Sequence, residues 1–136
     1  MLLVPFNVRL GLFLSWLTLI LWLSLSSDPP EVKLDFLAWD KARHALAYAL
    51  LTVLGGWTAR GRLVPALIAW GGAALVAVLV GGVIEIAQGM MAVGRLAEWG
   101  DLAANALGAL LGGWSGWWAS RGPGAGPPSG RGEGRP

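Results

Sequence analysis

The chain has 136 residues, of which 55% are apolar and only 13% charged, with a net charge of +2. That apolar share, about 75 side chains, is more than a soluble domain of this length can hide, whereas four membrane spans of ~20 residues would absorb it. The small charge, with its basic residues spread along the chain, argues against a nucleic-acid surface, and the lack of cysteine removes disulfides, thiolate nucleophiles, Cys-rich zinc sites and iron–sulfur clusters.

Asp, Glu, Lys and Arg divide the chain into uncharged stretches at 10–27, 44–59, 63–84 and 102–120. With their polar edges these predict spanning helices at about 8–26, 40–59, 63–87 and 101–120, an all-α four-transmembrane-helix bundle over residues 1–120. Period-two alternation is absent from them, so a β-barrel is not a serious rival. The first stretch, with Ser24-Leu25-Ser26 near its end, also fits a cleaved signal peptide; its length and the single preceding Arg9 favour a retained helix. Asp28-Pro29-Pro30 stops that helix, and Val32, Leu34 and Phe36 alternating with Lys33 and Asp35 predict a short extended or interfacial piece. Residues 121–136 are mostly Gly and Pro and are expected to form a disordered cytoplasmic tail.

The ends of the stretches carry opposite signs. Arg9, Arg60, Arg62 and Arg121 mark one set; Asp28, Asp40, Glu85 and Asp101 mark the other. Up-down order puts each set on one side of the membrane. The positive-inside rule makes the arginine side, joined by Arg131 and Arg135, cytoplasmic, with Lys33, Lys41, Arg43 and Arg95 opposite. A multi-pass cell-membrane protein with both termini in the cytoplasm is expected. Trp39 and Trp99 fall at the outer boundary and Trp57, Trp117 and Trp118 at the inner one, while Trp16 and Trp70 lie deeper as packing residues.

Polar residues in or beside a span are costly in lipid, which makes them the candidates for function. In Asp40-Lys41-x-x-His44-x-x-x-Tyr48, the side chains of Lys41, His44 and Tyr48 share a helix face ~60° wide. Asp40 borders it, doubling as an N-cap candidate, and Thr52 continues it, whereas Arg43 points away toward the headgroups. Glu85-x-x-Gln88 puts two polar groups on one face of the third span. Asp101, Asn105, Gly108 and Gly112 form one stripe on the fourth, where the glycines allow close helix approach. Arg95 sits in the loop between. Asp40, Lys41, His44, Tyr48, Glu85, Gln88, Arg95, Asp101 and Asn105 are thereby expected to line one outward-facing pocket. Taken singly, Asn105, Gln88 and Asp40 read as helix glue; taken together, the set reads as a ligand site.

These residues, at these spacings, resemble the VanZ-like family of small bacterial membrane proteins. The resemblance runs from Asp40-Lys41-x-x-His44-x-x-x-Tyr48, through Glu85-x-x-Gln88 and Arg95, to Asp101-x-x-x-Asn105-x-x-Gly108, with seven residues from Gln88 to Arg95 and six from Arg95 to Asp101. It covers residues 40–112, and the Gly/Pro-rich tail is outside it. The family takes its name from a member that gives low-level resistance to the glycopeptide teicoplanin. The resemblance implies a membrane location more firmly than an activity.

Three functions compete. The first is a non-catalytic cell-envelope protein whose pocket holds a lipid or cell-wall headgroup, or a glycopeptide, through Lys41, Arg95 and His44, with Tyr48 and Trp99 packing on a sugar or acyl chain. The second is an intramembrane enzyme on a lipid-linked substrate, with His44 as general base oriented by Asp40 or Asp101 and Glu85 as acid. It lacks an evident nucleophile, as only Ser26, Ser27 and Tyr48 place hydroxyls near the outer end. The third is a calcium or magnesium site built from Asp40, Glu85, Asp101 and Asn105, where Lys41 and Arg95 compete for the carboxylates and a single histidine disfavours zinc. The first is the expectation, with no metal, no cofactor and no nucleic-acid partner.

Overall fold

The computed structural model describes residues 4–26, 40–60, 64–91 and 98–121. Among them the chain forms four α-helices and no strand: α1 Phe6–Leu25, α2 Asp40–Ala59, α3 Ala66–Met91 and α4 Trp99–Ala119. The extended piece expected after the first span, the tail beyond Arg121, and the side chains of Trp39, Arg62 and Arg95 lie outside the described residues.

Prolines set two helix starts. Pro5 and Pro65 stand just ahead of α1 and α3, where a missing amide proton is harmless, and their carbonyls accept the amides of Arg9 (3.2 Å) and Ala69 (3.0 Å). Because of Pro65, α3 opens at Ala66 rather than at residue 63. It also runs past residue 87 to Met91, since Glu85 is packed between helices and does not mark a water boundary. Its 26 residues make it the longest helix, about 39 Å at 1.5 Å per residue.

Contacts between side chains fix the directions. Arg9 meets Trp57, and Trp16 donates its indole N–H to the Ala47 carbonyl at 3.0 Å, so α1 and α2 are antiparallel. Ala45 lies against Gly108 and Ala49 against Gly112, so α2 and α4 run parallel. Gly81 lies against Tyr48 and Asn105, while Trp70 lies against Gly56 and Gly116, so α3 is antiparallel to both. The helices alternate up and down. Arg9, Arg60 and Arg121 therefore share one end, and Asp40, Glu85 and Asp101 share the other. α1 packs on α2 and α3 but not on α4, among the described residues.

The closest packing is α2 on α4, through Ala45 and Ala49 opposite Gly108 and Gly112. A Cβ at Gly108 would overlap the Ala45 carbonyl, so the backbones touch where small residues recur every fourth position. Nearer the arginine end, the Trp70 indole fills the space between Gly56 and Gly116, and its N–H donates to Ser120 Oγ at 2.8 Å. Leu51, Thr52 and Asn105 are the largest side chains that are fully buried.

Facing outward, Leu67, Ile68, Leu75, Leu79, Val83 and Ile86 of α3 are each more than half exposed. An apolar face of this extent is rare on a protein bathed in water. α1 and α3 are long and apolar enough to cross a membrane, with mean hydropathies of 1.8 and 2.3. α2 and α4 are less apolar because they carry the polar faces that the bundle turns inward.

One boundary residue behaves unexpectedly. Arg9 does not reach outward but is 4% exposed, with Nη1 donating to the Trp57 carbonyl at 2.8 Å and the guanidinium 6.0 Å from the Trp57 ring centroid. Trp57 belongs to the last turn of α2, where carbonyls lack helical partners and the helix dipole attracts a cation. Arg121 instead stacks on Trp117, 3.5 Å from its centroid.

Candidate functional site

The polar residues gather at the end of the bundle opposite the arginines. Asp40, Lys41 and His44 come from the first turns of α2, Asp101 and Asn105 from those of α4, and Glu85 from the outer part of α3. The stripe at spacings of three and four on α2 faces the equivalent stripe on α4. Because these two helices are parallel, residues pair in sequence order: Lys41 with Asp101, then His44 with Asn105.

Lys41 is held between two carboxylates. Its Nζ donates to Asp101 Oδ1 and, at 2.7 Å, to Glu98 Oε2. Asp40 Oδ1 accepts from Arg43, an i,i+3 pair that ties down the arginine expected to turn toward the headgroups. His44 Nδ1 lies 3.0 Å from Asn105 Oδ1. His44 Nε2 then faces Asp101 Oδ2 at 3.6 Å and Asp40 Oδ2 at 3.8 Å. The partner that fixes the imidazole is thus Asn105, and the two aspartates crowd the other ring nitrogen.

Glu85 is buried. Its Oε2 accepts the Glu98 backbone N–H at 3.2 Å, and its Oε1 has no hydrogen-bond partner among the described residues. The Tyr48 hydroxyl and Thr52 Oγ1, deeper on α2, are also buried without one. Unsatisfied buried polar groups are uncommon and costly; the other one among the described residues is Arg9 Nε, at the opposite end.

Of the nine expected residues, Gln88 stands apart from the cluster. Gln88 turns to α1, where Nε2 donates to the Ser24 carbonyl at 2.8 Å, and Arg95 lies outside the described residues. Glu98 was not foreseen, although its spacing of three from Asp101 already put both acids near one face at the start of α4. Gly81 was also missed; any side chain there would press on Tyr48 and Asn105.

Among the described residues at this end, the acids Asp40, Glu85, Glu98 and Asp101 outnumber the cations Lys41 and Arg43, and both cations are already engaged. Among the described residues, the carboxylate oxygens left without a hydrogen bond include Asp40 Oδ2, Asp101 Oδ2 and the buried Glu85 Oε1. The arrangement suits a group that donates hydrogen bonds or carries positive charge. Comparisons of the chain with protein-family models, with curated proteins and with solved structures find no match.

Proposed function

We propose that this chain is a four-span integral membrane protein of the VanZ-like type that binds a lipid or cell-wall headgroup in its outward-facing polar pocket without carrying out chemistry on it. The observation that carries this reading is the convergence of polar side chains from α2, α3 and α4 at one end of a bundle whose flanks are apolar. Lipid is the solvent that accepts such flanks. The arginines at the opposite end favour a cytoplasmic position for that end and for both termini.

The acceptor-rich pocket favours a headgroup that presents amines or hydroxyls, as an aminoalcohol lipid or an amino-sugar precursor does; a bare phosphate would meet four carboxyl groups. A glycopeptide such as teicoplanin, which carries amines and sugars, fits the same chemistry. A catalytic role is less favoured. The nitrogen that His44 would offer as a base, Nε2, already faces two carboxylates.

Deletion and complementation test the reading. The wild-type chain is expected to restore the glycopeptide susceptibility profile of the parent strain, and His44→Ala, Glu85→Gln and Asp101→Asn at equal membrane abundance are expected not to. Native mass spectrometry of protein released from bilayer discs is expected to find a co-purifying headgroup lipid that Asp40→Asn with Asp101→Asn loses. If all these variants match wild type in both assays, the pocket serves only to hold the helices together.

A further inference from the structure

Glu85 is the carboxyl group that no cation meets among the described residues. Asp40 is paired with Arg43, and Asp101 and Glu98 share Lys41. Glu85 has no such partner. It is 6% exposed, and its Oε2 accepts a single backbone N–H, that of Glu98 at 3.2 Å. Its Oε1 is buried with no hydrogen-bond partner among the described residues.

The elements packed around it do not supply the missing charge. α4 brings Asp101, with Glu98 just ahead of it, and both are acids. α2 brings the Tyr48 hydroxyl and His44. The His44 ring is held by Asn105 at 3.0 Å and turns its Nε2 to Asp101 and Asp40, at 3.6 and 3.8 Å. α1 meets α3 at this end through the Ser24 carbonyl, and its one titratable side chain, Arg9, is at the other end. A carboxylate taken out of water without a counter-ion is far more costly than the neutral acid.

We propose that Glu85 is a proton-binding site: the closed bundle holds it as a neutral acid, Oε2 accepting from Glu98 and Oε1 carrying the proton, and release of that proton in alkaline medium parts the first turn of α4 from α3. An ionised Oε1 needs water, and Glu98 is the residue bound across it. Glu98 is joined to Glu85 by its backbone N–H and to Lys41 by its side chain, and its carbonyl accepts the amides of Asp101 and Leu102. A change at Glu85 therefore passes through one residue to Lys41 and Asp101. On the reading that this end faces outward, which rests on the proposed function, the pocket answers to the acidity of that side. Glu85→Gln keeps an acceptor and a donor in place but has no proton to release, so it is locked in the closed form.

Infrared spectra of the full-length chain in bilayer discs test this, with hydrogen exchange of α4 read by mass spectrometry on the same samples. At neutral pH the wild type is expected to show the C=O stretch of one neutral carboxylic acid, moved by ¹³C-glutamate labelling and absent in Glu85→Gln. As the pH is raised the band is expected to vanish reversibly. Protection of the first turn of α4, corrected for base-catalysed exchange, is expected to fall with it by about tenfold per pH unit. In Glu85→Gln that protection is expected to hold. No acid band in the wild type at neutral pH, a band that survives in Glu85→Gln, or protection that falls equally in both overturns the site. If Glu85→Gln misfolds, Glu85→Asp replaces it: the band is expected to persist but to lose its response to labelled glutamate, and a response that remains overturns the site. No headgroup is added and no susceptibility is measured, so failure here and failure of the complementation assay are distinguishable.

Discussion

The pairing of His44 with Asn105 shows how much a single buried contact constrains. Asn105 is 1% exposed, so its amide cannot find water if the imidazole leaves. Asn105→Leu keeps most of the volume and leaves His44 Nδ1 without its acceptor. Loss of roughly 1–3 kcal/mol is expected, read from urea or SDS unfolding in a bilayer mimetic. In a His44→Leu background the same substitution is expected to cost distinctly less, because the stranded partner is gone. Asn105 and Asp101 were legible in the sequence because helical periodicity alone put them on one face with Gly108. Glu98 was not, because it precedes the helix, and its bonds to Lys41 and the Glu85 carboxylate arise only once three helices meet. Arg9 misled for a related reason. Its charge marks an end correctly, but the open carbonyls at the end of α2 draw it inward.

At the scale of helices, glycines with and without neighbours make contrasting tests. Gly108→Ala drives a methyl into the Ala45 backbone, which cannot swing aside as a side chain can. A cost of about 1–3 kcal/mol or more is expected, with α2 and α4 displaced from one another. Gly72→Ala meets nothing within 4 Å, and is expected to leave stability unchanged or raise it by up to ~1 kcal/mol through helix propensity. Both are read by unfolding in the same mimetic. Trp70 supplies a reciprocal case: Gly116→Ala collides with its indole, but in a Trp70→Ala background that collision disappears. Trp70→Ala alone is expected to cost ~3–5 kcal/mol, and adding Gly116→Ala to it little more. The Gly108-x-x-x-Gly112 spacing announced a close approach. The partners Ala45 and Ala49 were not identifiable, since alanine is common throughout these helices and marks no face by itself. The longer reach of α3 was hidden for a similar reason, because a charge at Glu85 reads as a boundary until a neighbouring helix is known to cover it.

For the whole molecule, the sorting of charge into opposite ends was readable because the helices alternate direction and most of the described arginines and acids sit in the first or last turn of a helix or just beside it. Membrane orientation is testable directly, since the chain has no cysteine to remove. A Cys placed at Trp99, which is 86% exposed, is expected to react with an impermeant maleimide in intact cells. One placed at Arg121 is expected to react only after permeabilisation. The opposite pattern would invert the topology and turn the pocket inward. The Trp70 indole adds a consequence at this scale. Wedged between Gly56 and Gly116, it fills the interior of the bundle at the end away from the polar cluster. If the bundle spans a membrane as proposed, a ligand of the polar cluster would exchange with one compartment alone. Its occupancy would then follow the concentration on that side and take no work from a gradient across the bilayer, so the proposed function is that of a gauge and not of a pump.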